Sequence, residues 1–98
     1  MDNNEIWNIM AELRGTPLNE YFGEHLKHLR QEKELSQKEV AKKTGVAVST
    51  YANWEQGRRT PSIDDIFKIL FALETEPNEL FDLQAYAEIA RKKKAEKR

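Results

Sequence analysis

The 98-residue chain contains no cysteine, no long hydrophobic run, and only four glycines and three prolines. Without cysteine it can form no disulfide framework and none of the usual cysteine-ligated structural zinc sites. No segment approaches the ~20 consecutive apolar residues of a membrane-spanning helix, and the first fifteen residues lack the basic start and apolar stretch of a secretory signal. These absences lead us to expect a cytoplasmic protein without a membrane contact.

The charges of the chain are unevenly distributed, although the net charge is only −1. Residues 1–24 carry −4, residues 25–62 carry +4, residues 63–90 carry −6 and residues 91–98 carry +5. Because salt screens each exposed charge beyond ~10 Å, a polyanion would respond to the basic middle of the chain rather than to its total charge. With 39% hydrophobic residues, the length fits one domain with one modest core.

Hydrophobic residues recur with helical periodicity along nearly the whole chain, and no useful length alternates with period two. The pattern therefore predicts an all-α protein. A first helix is predicted from a cap at Asn4, and a second from a cap and first-turn proline at Thr16 and Pro17. A third begins at Ser36, where Glu39 three residues later completes a capping-box pattern.

The second half of the chain is predicted to continue as short helices. A helix from about Val48 to Gln56 is followed by another that opens with a second capping-box pattern at Ser62. Pro77 is predicted to open a single last helix, and the polar residues 91–98 are expected to fray. This last helix carries the apolar residues Leu80, Phe81, Leu83 and Tyr86.

The most informative stretch is QKEVAKKTGVAVSTYANWEQ, residues 37–56, in which two short helices meet at a tight turn. Ala41 is small where the two helices would approach, and Gly45 suits a turn that needs positive φ. Tyr51 and Trp54 are three residues apart and so share the inner face of the second of these helices. The opposite face presents Val48, Ser49, Ala52, Asn53 and Gln56.

The chain resembles the Cro/repressor-type helix-turn-helix domains of the XRE family from about Phe22 to Phe81. The resemblance rests on LRQEKELSQKEVAKKTGV, STYANWEQGRRTPS and ILFALETEPNELF, in that order. It implies a compact five-helix, lambda-repressor-like DNA-binding domain, here with an additional short N-terminal helix and an extended C-terminal helix and tail. The expected divisions are an N-terminal extension, the DNA-binding domain and a C-terminal helix end with a basic tail: residues 1–16, 17–82 and 83–98.

The resemblance implies a repressor-like transcription regulator of bacterial or phage type. Such a protein binds double-stranded DNA in a sequence-specific way, and it is expected to read a palindromic operator as a homodimer, with one helix of each protomer in the major groove. It also implies an ion pair between Arg30 and Glu55. The base-facing positions it implies are Val48, Ser49, Ala52 and Asn53. The phosphate-contacting positions it implies are Ser36, Gln37, Arg58, Arg59 and Thr60.

Side-chain chemistry supports several of these roles beside plainer alternatives. Asn53 can pair with adenine through two hydrogen bonds, and Val48 can contact a thymine methyl group, although either residue could instead be an ordinary surface residue. Arg58 and Arg59 could clamp phosphates or be idle surface charges. The basic tail could add nonspecific DNA affinity or serve only as a solubilising end.

Three positions depart from the family pattern. Ala47 replaces the serine or threonine that usually caps the base-reading helix. Tyr51 stands where a smaller aliphatic residue is common, so its hydroxyl needs water or a partner. Glu74 replaces a frequent glycine before the final helix of the domain.

A second function remains open, because domains of this family also serve as antitoxins that bind a protein toxin and their own promoter. The protein partner, a toxin or an anti-repressor, would then dock on the helix that carries Trp7 or on the C-terminal helix. The side chains of Trp7, Ile6 and Met10 could equally pack back on their own domain.

No enzyme is expected, because the sequence offers neither a nucleophile–base constellation nor a glycine-rich phosphate loop. His25 and His28 are three residues apart on a helix, but the chain has no third histidine and no cysteine. We therefore expect one surface and one boundary histidine rather than a metal site, and no cofactor.

Overall fold

The computed structural model describes residues 2–96, and in that range it contains helices and no strands. The helices are α1 (Asn3–Leu13), α2 (Leu18–Glu32), α3 (Gln37–Thr44), α4 (Val48–Glu55), α5 (Ile63–Leu73), α6 (Pro77–Leu80) and α7 (Leu83–Glu96). The predicted all-α fold is confirmed, with five helices from α2 to α6 and one additional helix at each end. None of the helices in residues 2–96 combines the length and apolar character needed to cross a membrane.

The main core lies where α2, α3, α4, α5 and α6 meet. α3 packs against both α4 and α5, while α2 packs against α4 and α6. The indole of Trp54 meets the ring of Tyr51 edge-on, with 5.9 Å between ring centroids, and both residues are essentially inaccessible to solvent. The largest fully buried side chains of this core are Trp54, Tyr51, Leu26, Ile69, Leu73, Leu80 and Val40.

A second, smaller core joins α1 and α7 to the outer side of α2. Its buried residues are Ile9, Leu13, Tyr21, Tyr86 and Ala87. Phe22 packs against both cores and so connects them. Two hydrogen bonds of 2.8 and 2.7 Å from the Arg91 guanidinium to the Glu12 carboxylate fasten α7 to α1.

Both predicted capping boxes are present. The Ser36 hydroxyl accepts a hydrogen bond from the Glu39 amide at 3.0 Å, and the Glu39 carboxylate accepts one from the Ser36 amide at 3.1 Å. Ser62 and Asp65 make the same reciprocal pair at the start of α5, with both distances 3.1 Å. The starts of α3 and α5 are thus fixed by local sequence.

The predicted starts of α1 and α2 are wrong. Asp2, rather than Asn4, caps α1, because its carboxylate accepts a hydrogen bond of 2.8 Å from the Glu5 amide. Thr16 does not cap α2, since its hydroxyl donates back to the carbonyl of Leu13. Pro17 occupies the cap position of α2 without a side-chain hydrogen bond.

The predicted single last helix is in fact two. The backbone breaks at Phe81, with φ −103° and ψ 58°, and the Asp82 carboxylate accepts a hydrogen bond of 3.1 Å from the Ala85 amide to begin α7. The expected fraying of the tail is also wrong for residues 91–96, which continue α7, because Arg91 bonds to α1. Residues 97–98 of the predicted tail lie outside the described residues.

α1 packs on the rest of the protein through one face, and its largest side chain, Trp7, lies on another. Ile9 and Leu13 are buried, whereas Trp7 is 66% exposed and Met10 is 44% exposed. Trp7 could have packed on its own domain or faced solvent, and in the structure its side chain faces solvent.

Candidate nucleic-acid interface

α4 presents two different faces. Its buried face carries Tyr51, Trp54 and Glu55. On the other side Val48 and Ser49 are exposed. Ala52 and Asn53 are half-buried. The structure therefore brings the four expected base-facing residues onto one outward side of a helix whose inner side is locked in the core.

Gly23, which sequence reasoning missed, sets how closely α2 approaches α4. A Cβ atom added there would lie 2.5 Å from the carbonyl oxygen of Trp54 and under 2.5 Å from that of Glu55. Both neighbours are backbone atoms at the end of α4, so only glycine fits without displacing that helix. The sequence did contain a signal for this close approach. Gly23 lies in the middle of a predicted helix, where glycine costs ~1 kcal/mol relative to alanine.

The turn between α3 and α4 has the predicted form. Gly45 adopts φ 76° and ψ 21°, the left-handed conformation that glycine takes most readily. The amides of Gly45 and Val46 both donate to the carbonyl of Ala41, at 2.9 and 3.1 Å. Ala47 then occupies the cap position of α4 without a side-chain hydrogen bond, so the tight turn, rather than a cap, directs the start of α4.

Arg30 and Glu55, expected as an ion pair, lie together beneath α4. Arg30 Nε donates to Glu55 Oε2 at 2.6 Å and Arg30 Nη2 donates to Oε1 at 3.1 Å. Arg30 Nη1 also donates to the carbonyl of Leu35 at 2.8 Å. The Glu55 side chain is 2% exposed, so this bidentate pair ties the C-terminal end of α4 to α2 in a dry environment.

Hydrogen bonding decides the ionisation of this pair. Burial by itself would raise the pKa of the Glu55 carboxyl, but donors around it, Arg30 foremost, hold that pKa below its ordinary value of 4.5. The Glu55 hydrogen bond in turn raises the pKa of Arg30. Both groups are therefore charged at neutral pH.

The Tyr51 hydroxyl is buried beside this ion pair. Burial, with the neighbouring Glu55, raises the pKa of Tyr51 far above its ordinary value of 10. Within residues 2–96 the hydroxyl has no hydrogen-bond partner of good geometry. Glu55 and Arg30 are the polar groups that face this hydroxyl.

Two of the expected phosphate-binding residues stand at the start of α3. Gln37 is half-buried, and its Nε2 donates to Glu55 Oε1 at 2.9 Å. A primary amide has two N–H groups, so Gln37 can hold the ion pair and still donate a second hydrogen bond. Ser36 is exposed, and its hydroxyl proton is free to donate while its oxygen serves the cap.

The remaining phosphate-binding candidates lie in the loop after α4. The amides of Arg58 and Arg59 both donate to the carbonyl of Asn53, at 3.0 and 3.3 Å, which folds the loop against the end of α4. The side chains of Arg58, Arg59 and Thr60 are exposed. Neither guanidinium makes an ion pair within the described residues, so both charges are available to an anion beside α4.

The two histidines of α2 point to different surroundings. His25 is buried, with its Nε2 2.7 Å from the carbonyl of Glu79, whereas His28 Nε2 lies 3.0 Å from the Glu32 carboxylate at the surface. Among residues 2–96 no three histidine, aspartate or glutamate side chains are grouped so that they could hold a metal ion.

Comparisons with known proteins agree with this geometry. Residues 26–80 match the family model described as helix-turn-helix. The chain is similar to the restriction-modification controller protein C.AhdI from Aeromonas hydrophila, with 39% identity and a TM-score of 0.60 over 62% of this chain and 92% of that one. It shares its fold with the clp gene regulator ClgR from C. glutamicum, with 23% identity and a TM-score of 0.62 over 74% of this chain and 91% of that one. No curated protein matches the chain significantly.

Proposed function

The chain belongs to the helix-turn-helix family of DNA-binding transcription regulators, and we propose that it reads a palindromic operator as a homodimer with α4 of each protomer in the major groove. The observation that carries the proposal is the division of α4 into a locked inner face and an outward face of short, uncharged side chains. A dimer of this kind would place its two reading helices about one DNA turn apart, ~34 Å.

The reading chemistry is assigned to the outward face of α4. Asn53 can donate to adenine N7 and accept from adenine N6, and Val48 can pack on a thymine methyl. Ser49 can donate or accept and therefore discriminates less. Ala52 allows the helix to approach closely. We therefore expect half-sites that contain A·T pairs.

Backbone binding is assigned to the two ends of the same surface. At one end Ser36 and Gln37 begin α3, where helix amides attract an anion. At the other end Arg58 and Arg59 supply positive charge, with the Thr60 hydroxyl beside them. Contacts to phosphates would provide most of the affinity and set the register, while base contacts provide the selectivity.

The decisive experiment is the selection of bound duplexes from a random pool by the full chain. A half-site repeated in inverted orientation, with centres about ten base pairs apart, is the expected result. Enrichment of a single unrepeated site would contradict the homodimer, and no enrichment over input would contradict sequence-specific reading. A transcription assay on the selected site then distinguishes repression from activation.

We further propose that the protein acts by binding in the cytoplasm and catalyses no reaction. A cleft of about 690 Å³ between α2 and α7 is lined mainly by glutamates, lysines and the two histidines. It contains no hydroxyl or thiol nucleophile beside a base. Hydrolytic or transferase activity that persists in protein purified to constant specific activity would overturn this proposal.

An antitoxin role is the second candidate, and the exposure of Trp7 and Met10 favours it. α1 lies outside the matched residues 26–80 and presents these side chains to solvent. A protein toxin could therefore dock on α1 while α4 stays free for promoter DNA. The test is the Trp7→Ala variant with a co-expressed toxin. If the variant loses toxin binding and keeps operator binding, this role is established. If it still binds the toxin, α1 is not the toxin-binding surface.

A further inference from the structure

α5 carries a stripe of large apolar side chains that nothing in the described chain covers. Ile63 is 75% exposed, Phe67 is 66% exposed and Phe71 is 89% exposed. They recur at every fourth residue and so line one face of the helix. The opposite face of α5 is the one that packs into the main core, through Ile69, Ala72 and Leu73.

The size of the stripe is unusual for a surface in contact with water. At about 200 Å² for a phenylalanine side chain, the two phenylalanines alone expose roughly 300 Å² per protomer. That is already the size of the largest apolar patch on a typical monomer, and larger patches mark interaction sites. With Ile63 and the flanking residues of two copies, the buried total approaches the ~1,000 Å² that a specific protein interface needs.

We propose that this stripe is where a second copy of the chain docks, with the two α5 helices antiparallel across a twofold axis at Phe67. The inference rests on the homodimer of the proposed function and names its surface. The spacing of the stripe is symmetric, because Ile63 and Phe71 lie four residues before and after Phe67. In an antiparallel pair Phe67 therefore meets its own counterpart, and Ile63 of each copy meets Phe71 of the other, as an isologous interface requires.

The charges beside the stripe suit the same arrangement. Asp64 and Lys68 are four residues apart and lie along one edge of the stripe. Neither makes an ion pair within the described residues. In an antiparallel pair centred on Phe67, Lys68 of one copy and Asp64 of the other are offset along the axis by only about 3 Å, at 1.5 Å per residue. Opposite charges therefore face each other on both sides of the twofold axis.

The stripe and the buried face of α5 lie on opposite sides of the helix. α5 packs on α3 through its buried face, and the stripe points away from that contact. The proposal requires that docking through the stripe leave the outward face of α4 in both protomers accessible to DNA.

The first test compares two equally exposed side chains. Phe67 and Trp7 are each 66% exposed, so lysine at either position is compatible with folding, which circular dichroism verifies. In sedimentation equilibrium of the full chain, Phe67→Lys is expected to weaken dimerisation by at least about 30-fold, as for a central apolar contact, and Trp7→Lys to leave it unchanged. A monomeric wild-type chain at micromolar concentration, or equal effects of both variants, would overturn the proposal.

The second test addresses the antiparallel register. Asp64→Lys gives an all-positive edge and Lys68→Asp gives an all-negative edge, so each variant alone is expected to dimerise about tenfold more weakly. Mixed in equal amounts, the two are expected to form heterodimers that native mass spectrometry resolves by mass. Failure of the mixture to associate better than either variant alone would show that these edges do not meet.

A third measurement keeps this inference distinct from the proposed function. Phe67→Lys is titrated onto a duplex with one half-site and onto a scrambled duplex. Retained half-site preference with lost dimerisation supports both proposals. A wild-type chain that reads DNA as a monomer overturns the docking surface and leaves α4 as the reader. A wild-type dimer that shows no preference for any sequence overturns the reading proposal and leaves the docking surface in place.

Discussion

Glu55 shows at the scale of a single residue how one carboxylate can serve a whole site. It accepts hydrogen bonds from Arg30 and Gln37, and so links the end of α4 to α2 and to the start of α3. The same side chain that stabilises the domain therefore also orients one of the expected phosphate donors. A carboxylate with several donors in a dry environment makes stability depend on pH.

The Glu55→Gln variant is expected to lose about 3 kcal/mol of unfolding free energy at pH 7, because it leaves Arg30 buried without a counter-charge. The folded-state pKa of Glu55 is lowered below 4.5, so its contribution is fully present above that value and is lost as pH falls through the folded pKa. Urea denaturation of both proteins from pH 7 to pH 3 measures this. The gap between them should shrink at low pH, and a constant gap would show that the charge of Glu55 is not responsible.

Asn53→Ala is expected to relax base preference at one position of each half-site and to cost ~1–3 kcal/mol there. The physical reason is the loss of a two-point contact that only one base satisfies. Binding to all single-base variants of the selected operator measures the change. Asn8→Ala, which makes the same change at an exposed position of α1, serves as the control. Equal weakening on operator and scrambled duplex would remove Asn53 from the reading surface.

Arg58→Ala is expected to weaken binding to every sequence alike, because a phosphate contact carries no base information. Loss of one such contact should reduce the slope of log affinity against log salt by about one unit. Arg14→Ala, just after α1, makes the same substitution at another exposed position. If both variants gave the same slope change, a general effect of net charge would explain Arg58.

At the scale of the helices, local sequence determines some boundaries and leaves others undetermined. The starts of α3 and α5 were predictable because a capping box needs only Ser36 with Glu39 or Ser62 with Asp65. The break before α7 was missed because no glycine or proline marks Phe81. The signal there was Asp82, a good cap residue, hidden inside an apolar pattern that runs through it.

Periodicity also could not tell which partner covers a helix face. Ile63 and Phe67 belong to the same apolar pattern of α5 as Leu73, yet Leu73 is buried and the other two are exposed. The spacing of apolar residues identifies the apolar side of a helix without stating whether the chain itself or another molecule packs on it. Trp7 is a second example, because it shares α1 with Leu13 and lies outside the core.

The end of α5 contains a correctable strain. Glu74 adopts φ 49° and ψ 47°, a left-handed conformation that costs a non-glycine residue energy. Glu74→Gly is expected to raise the unfolding free energy by roughly 0.5–1 kcal/mol. Glu88→Gly, at an exposed position inside α7, should instead lower it by about the same amount. Thermal denaturation compares the two, and destabilisation by both would mean that the side chain of Glu74 contributes more than its backbone costs.

At the scale of the whole molecule, the two cores make α1 and α7 part of one folded unit with the matched residues 26–80. Phe22 packs against both cores. Disrupting the smaller core should therefore also destabilise the larger one. The exposed ion pair of Arg91 and Glu12 is expected to contribute little by itself, because water and salt screen the attraction between exposed charges. The apolar contacts beneath it provide the attachment.

Leu13→Ala is therefore expected to cost about 2–5 kcal/mol, as for a buried leucine, since Leu13 is only 3% exposed. Trp7→Ala, which removes a larger side chain from the exposed side of the same helix, should change stability by less than ~0.5 kcal/mol. Urea denaturation followed by tryptophan fluorescence at Trp54 in a Trp7→Phe background reports on the main core. A transition unaffected by Leu13→Ala would show that the two cores unfold independently.

The contact between α1 and α7 also has a consequence for the newly made protein. Glu12 and Arg91 are 79 positions apart, and a ribosome adds ~5–20 residues each second. Glu12 is therefore synthesised about 4 to 16 seconds before Arg91. For those seconds Ile9 and Leu13 have no partner in α7, so the emerging chain presents an uncovered apolar α1 to the chaperones and proteases around it. α1 is made before α7, and its docking is completed only after α7 has emerged.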